Sequence, residues 1–253
     1  MGSLVGKRAL VSAAGQGIGK SVAEELLKAG CDVALHYLSN AAGAQEVATL
    51  AKTLGRKAIC LQADLTDEKA AIAMVKQAAD FLGGLDVLVN NAGGLVARRQ
   101  LAQVDMSFWQ KVIDINMTSM LLVTREAVPH LAKAKGASIV NISSLAGRKG
   151  GHGGSLVYAS TKGAVLTFTR ALSAELGAQG IRVNAVAPGL ILGTAFHNTH
   201  TTKESADETI RGIPLARAGD VLDIARPVVF LASEYDGFIT GATLDINGGV
   251  YCA

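Results

Sequence analysis

The chain has 253 residues, 49% hydrophobic and only 18% charged, so it can bury a large core and is too apolar for a disordered segment. A net charge of +3 with no run of like charges excludes a nucleic-acid tract, and no apolar stretch approaches the roughly 20 residues of a membrane span. Three scattered cysteines, Cys31, Cys60 and Cys252, indicate neither a disulfide framework nor a metal site, so a cytoplasmic protein is expected.

Seven short apolar runs read as strands: residues 8–12, 32–37, 58–61, 87–89, 138–142, 182–185 and 243–246. Most are apolar on both faces, the pattern of parallel strands covered by helices on either side. Between them apolar residues recur three or four apart, as at Ile18, Val22 and Leu26, with Gly30 closing the helix. The alternation predicts an α/β fold: one Rossmann-type, doubly wound parallel sheet in a single domain over residues 1–253. Such sheets bind ligands beyond the carboxyl ends of their strands.

After the first strand comes Ser12-Ala13-Ala14-Gly15-Gln16-Gly17-Ile18-Gly19, opening a helix. A dinucleotide pyrophosphate needs backbone N–H groups and a helix N-terminus unobstructed by side chains. Gly17 and Gly19 suit that approach, and Gly15 is expected to relax the turn. After the second strand, His36-Tyr37-Leu38-Ser39-Asn40 places Tyr37 where an acid would hold the ribose hydroxyls of NAD. Ser39, Asn40 and His36 are candidates for a 2′-phosphate, an inward-facing strand histidine being the alternative for His36. NADP(H) is therefore favoured, with NAD(H) possible because no Arg or Lys lies in this stretch.

Asn90-Asn91-Ala92-Gly93 follows the fourth strand, its small residues letting the backbone lie against the adenine ribose. Tyr158 and Lys162 stand four apart at the start of a helical segment and so share one face. A tyrosine titrates near pH 10, about three units from neutrality. A neighbouring ammonium lowers that value and fits Tyr158 for proton transfer. Ser143 and Ser144 follow the fifth strand; Ser144, further beyond the apolar run, is placed to orient a substrate carbonyl.

In this order the motifs resemble the short-chain dehydrogenase/reductase family over essentially the whole chain. Ser12 to Gly19 is similar to its T-G-x-x-x-G-x-G turn, with Ser12 for the threonine and Ala13 for the first glycine. The resemblance implies a catalytic set of Asn116, Ser144, Tyr158 and Lys162. In it, the Asn116 carbonyl holds a water beside Lys162, and Lys162 also holds the nicotinamide ribose. It further implies that Asp64, with Leu65, meets the adenine, an N-cap being the alternative role for Asp64. Pro188-Gly189-Leu190-Ile191 resembles the loop that closes on the nicotinamide, with Ile191 and either Gly193 or Thr194 meeting the cofactor. The family's serine usually stands thirteen residues ahead of the tyrosine. Ser144 stands fourteen ahead, so one extra residue is expected in a flexible glycine-rich loop over residues 147–156.

The resemblance implies hydride transfer between NAD(P)(H) and a carbonyl or secondary alcohol. Substrate loops are expected at residues 94–103, around His152, and at 192–218, where Phe196 and His197 stand. The polar composition of the last loop suits a small sugar-derived molecule or a hydroxy or keto acid. Arg98 and Arg99 either face an anionic group or are solvated. The rival readings are a 3-oxoacyl-[acyl-carrier-protein] reductase and a non-catalytic dinucleotide sensor. A homo-oligomer, dimer or tetramer, is expected, without nucleic-acid or membrane partners.

Overall fold

The seven apolar runs form β1 (Arg8–Val11), β2 (Asp32–Tyr37), β3 (Ala58–Gln62), β4 (Val87–Asn90), β5 (Ala137–Ile142), β6 (Ile181–Pro188) and β7 (Thr243–Ile246). In this computed structural model, which describes residues 4–194, 199, 201–233 and 237–253, all seven belong to one sheet. The order is β3-β2-β1-β4-β5-β6-β7, with every pairing parallel. Chain direction across the sheet reverses between β1 and β4, where Leu10 pairs with Leu88. A crevice opens at the carboxyl ends of strands there, as doubly wound sheets require.

Strand periodicity divides the core. Val11, Val33, Leu35, Val89 and Val140 face one side, packed by Val22 and Leu26 of α1 (Gly17–Lys28). Leu10, Ala34, Leu88, Ile139 and Val183 face the other, packed by Met74 and Val75 of α3 (Glu68–Leu82). Each such side chain contributes about 1.5–3 kcal/mol when fully buried. Asn40 caps α2 (Ala41–Thr53), Asp67 caps α3, and Asp105 caps α4 (Met106–Ile113), each accepting a first-turn N–H. The N-cap role offered for Asp64 thus falls to Asp67.

Past α4 the backbone widens into a π-helical turn, Asp114–Thr118, before α5 (Ser119–Leu131). At the start of the loop expected over residues 147–156, Leu145–Lys149 forms a short helix, α6, and residues 150–155 lead from it to α7 (Leu156–Leu176). Arg148 of α6 grips Asp245 of β7 with two parallel bonds of 3.0 Å, and its guanidinium lies 5.8 Å from the Tyr251 ring centroid. Among the described residues the further α-helices are α8 (Lys203–Arg211) and α9 (Val221–Ala232). No helix among the described residues is long and apolar enough to cross a membrane.

Candidate active site

The turn after β1 is shaped by crowding. Ala13 adopts φ +53°, a conformation that L side chains rarely take. His36 secures it: Nδ1 accepts the Ala13 N–H at 2.9 Å, and the His36 carbonyl accepts that of Ala14 at 2.7 Å. The other ring nitrogen lies 3.1 Å from the Ala63 carbonyl. Burial lowers the His36 pKa, so the ring is neutral, with its proton on Nε2 facing that carbonyl. His36 is therefore no phosphate ligand; both ring nitrogens are spent on backbone.

Gly17 takes φ +55° at the helix entrance, and Gln16 makes no side-chain capping bond there. A Cβ on Gly15 would lie 2.5 Å from the Asn40 carbonyl, and one on Gly19 would collide with that of Ala13. Gly15 thus admits a neighbour and does not relax the turn. Gly17 and Gly19 carry no side chain at the start of α1, which leaves a surface at its first turn open to a pyrophosphate. Ile18 lines the same surface.

Other expected contacts have structural work. The Ser12 hydroxyl accepts the N–H groups of Asn91 and Ala92, each at 2.9 Å, and Asn91 donates its amide to the carbonyls of Ser12 and Ala13. These bonds brace β1 against β4. The Asn40 oxygen accepts from Gly43, and its amide reaches Gln16 at 3.4 Å. Tyr37 is half-buried and Ser39 exposed beside them. Asp64 is exposed and turns back on Thr66, whose hydroxyl and N–H hold its carboxyl below the usual range; Leu65 is buried.

At the other end the two serines separate. Ser143 is buried and donates to the Lys162 carbonyl at 2.7 Å. Ser144 caps α6, accepting the Ala146 N–H at 3.1 Å, and its side chain hydrogen-bonds Tyr158. Lys162 is almost wholly buried; Nζ donates to the Ile142 carbonyl at 2.9 Å and lies 5.9 Å from the Tyr158 ring centroid. Burial pulls its pKa down to about 8. Burial pushes the Tyr158 phenol up, opposed by the Ser144 hydrogen bond. The expected lowering of Tyr158 by Lys162 is thus absent from the chain alone, because the ammonium is turned to Ile142.

Asn116 sits in the π-turn and clamps Gly94: Oδ1 accepts the Gly94 N–H at 3.0 Å, and Nδ2 donates to the carbonyls of Gly94 and Val112, both at 2.9 Å. Its side-chain oxygen thus accepts from the backbone of the segment after β4. A Cβ on Gly93 would lie 2.7 Å from Asn116 Oδ1 and 3.0 Å from Lys162 Nζ, so the three groups converge on one bare stretch of chain.

A cavity of about 470 Å³ runs from Ala13, Gly17 and Ile18 to Ser144, Tyr158 and Lys162. Pro188, Gly189 and Ile191 form one wall, and Thr194 lies between them and the turn, its methyl 3.6 Å from where a Gly17 Cβ would stand. Thr194, rather than Gly193, is the residue that faces the cavity. His152 also lines it, whereas Phe196 and His197 lie outside the described residues. Arg98 lines it too; Arg99 is held by Asp105 at 2.8 Å and lies 4.4 Å over the Phe108 ring. No cluster able to hold a metal ion occurs among the described residues. A glycine turn joined by one cavity to a tyrosine and a buried lysine fits a nicotinamide dinucleotide.

The sequence matches the family model described as enoyl-(acyl carrier protein) reductase over residues 12–251. The chain belongs to the short-chain dehydrogenase/reductase family. It is accordingly an NAD(P)-dependent oxidoreductase acting between carbonyl and alcohol groups, which sets aside the sensor reading. It is 37% identical over 245 residues to the 3-oxoacyl-[acyl-carrier-protein] reductase FabG of Staphylococcus aureus, covering 97% of this chain and 98% of that one. Among solved structures it resembles an NADH-dependent reductase, A1-R′, responsible for alginate metabolism, with TM-score 0.90, 32% identity and 99% of each chain covered. It also resembles a blue fluorescent protein from a metagenomic library in complex with NADPH, with TM-score 0.92 and 33% identity, covering 99% of this chain and 100% of that one.

Sequence reasoning missed the grip of His36 on Ala13, the Ser143–Lys162 bond and the Arg148–Asp245 pair. The histidine carried a signal, since an imidazole in an apolar strand must find partners for both nitrogens.

Proposed function

We propose that this oxidoreductase transfers hydride between NADP(H) and a small polar carbonyl or secondary alcohol, with Tyr158 as the group that moves the proton. The observation that carries this reading is the Tyr158 side chain, hydrogen-bonded to Ser144 at the cavity wall with Lys162 buried behind it.

A bound nicotinamide supplies or accepts the hydride. Ser144 donates to the substrate oxygen and shares the charge that develops on it. The Tyr158 phenol gives its proton to that oxygen in reduction and recovers it in oxidation. Lys162 rests with its ammonium on the Ile142 carbonyl beside the ring, and turning it toward the phenol is the movement that would favour phenolate at transfer. Asn116 works through Gly94, fixing the bare segment against which Lys162 lies.

Three features support NADP(H): no carboxylate follows β2, Ser39 is exposed at that place, and one structural relative holds NADPH. Thr201, Ser205 and Thr209 line the cavity and support a polar ligand. Exposed Met106 and Leu121, with the partly exposed Trp109, support self-association through α4 and α5, and three free cysteines suit a reducing compartment. A 3-oxoacyl thioester is the second reading, favoured by the Staphylococcus aureus relative.

The test follows NADPH and NADH oxidation against sugar-derived aldehydes, oxo acids, diketones and 3-oxoacyl thioesters. Turnover of a small polar carbonyl with kcat/KM at least tenfold higher for NADPH is expected. Faster turnover of the thioesters would instead establish the second reading, and no turnover of any compound overturns both.

A further inference from the structure

Among the described residues, the cavity wall carries four cationic or imidazole side chains, Arg98, Lys149, His152 and Lys162, and no carboxylate. Lys162 belongs to the proton-transfer group. The other three come from the segments after β4 and β5 and line the same cavity as Tyr158, whereas the pyrophosphate surface belongs to the turn after β1. A dinucleotide therefore does not account for them.

The two segments are laced together. Arg99 N–H donates to the Gly154 carbonyl at 2.9 Å, and the Arg98 guanidinium donates to that of Gly153 at 3.2 Å. A Cβ on Gly154 would lie 3.0 Å from the Arg98 Cβ, so the segments touch without room between them. Adjacent arginines then divide their work. Arg99 is held by Asp105 and lies over Phe108, whereas Arg98, beside its bond to Gly153, lines the cavity.

A second observation points to the same place. Val96, two residues before Arg98, takes φ +66°. A β-branched residue in that region is a genuine outlier, and such strain persists only where the surroundings over-determine it. Here Val96 packs on the cluster of Phe108, Val112 and Val157, alongside Tyr158 itself. The strained residue ties the segment bearing Arg98 to the packing around the reactive tyrosine. The direction in which the segment leaves Tyr158 is thereby fixed.

We infer that Arg98, with Lys149 and His152 at the same rim, forms a subsite for a carboxylate carried by the substrate, which is then an oxo acid or its hydroxy-acid counterpart. This rests on the oxidoreductase reading above and narrows its substrate class. A guanidinium suits the role because its fork matches the two oxygens of a carboxylate.

The experiment compares short 2-oxo, 3-oxo and uronic acids with their methyl esters as substrates in the presence of NADPH. Wild type is expected to show kcat/KM at least tenfold higher for an acid than for its ester, mostly through KM. R98Q should shrink that ratio at least tenfold, and R98K should retain most of it. Esters used as well as acids, or a ratio unmoved in R98Q, overturns the subsite while the oxidoreductase reading stands. Calorimetry of the acids on the NADPH-bound protein separates the two further. Binding that R98Q abolishes, without turnover of any compound, upholds the subsite and overturns the proposed reaction.

Discussion

The ring of His36 holds Ala13: Nδ1 accepts the alanine N–H at 2.9 Å while Nε2 faces the Ala63 carbonyl. Ala13 is left-handed, at an expected cost of about 1–2 kcal/mol. The histidine offsets that cost with a bond on the very peptide that is strained. His36→Leu should therefore raise the Kd for NADPH roughly tenfold, read by quenching of protein fluorescence. Ala13→Gly in the same chain removes the strain and should recover most of the affinity; no recovery would show that His36 acts by another route.

The same ring sets an acid limit. Its pKa is lowered by burial in the folded chain, so between its ordinary value near 6.5 and the lower folded value the unfolded chain binds the extra proton. Stability is thus full above about pH 6.5 and is lost as pH falls below it. Melting temperature followed from pH 7.5 to 5 should fall more steeply in wild type than in His36→Gln. Parallel curves would remove His36 from the account.

Lys162 makes the opposite trade, stability given up for function. Its pKa of about 8 lies below the free value near 10.4, so the unfolded chain binds more protons between those values and stability rises with pH through that window. Lys162→Met should abolish turnover yet gain on the order of 2 kcal/mol at pH 7, since the buried charge is removed in a side chain of similar length. Urea unfolding at pH 7 and pH 10 checks it. The advantage of the variant should narrow at the higher pH.

The two serines make a direct contrast. Ser144→Ala should lower kcat by about 10²–10³-fold with NADPH still bound, because it removes a donor to the developing charge. Ser143→Ala should cost about 1 kcal/mol of stability through the lost bond to the Lys162 carbonyl, with a far smaller change in kcat. Tyr158→Phe should bind NADPH and not turn over. If Ser143→Ala is the slower enzyme, the serine assignment is reversed.

The sheet was legible because each strand is a run apolar on both faces, and that signature survives without knowledge of its neighbours. The same property hid the role of His36: Leu35 and Tyr37 flank it, so alternation supplies no outward face on which to place it. Tyr158, Lys162 and the glycine turn were legible because their geometry is local, set by one helical turn or one strand–helix junction. The glycines near His152 announced turns but concealed α6, whose five residues are too few for a periodicity. The strain at Val96 arises from packing on a cluster drawn from α4 and α7, and no local pattern records it. The π-turn at Asn116 spans only five residues, too few for its altered spacing to stand out from the helical pattern on either side.

Arg148 and Asp245 stand 97 positions apart and share one bidentate, largely buried contact on the helix that Ser144 caps. Losing either partner strands the charge of the other, at a cost well above that of exchanging both for apolar residues. Replacement of one is therefore expected to call for replacement of the other. A descendant that had replaced the arginine while keeping the aspartate would unsettle the helix presenting its reactive serine. The helix that presents Ser144 thus depends on a residue of the last strand that local sequence gives no reason to connect with it.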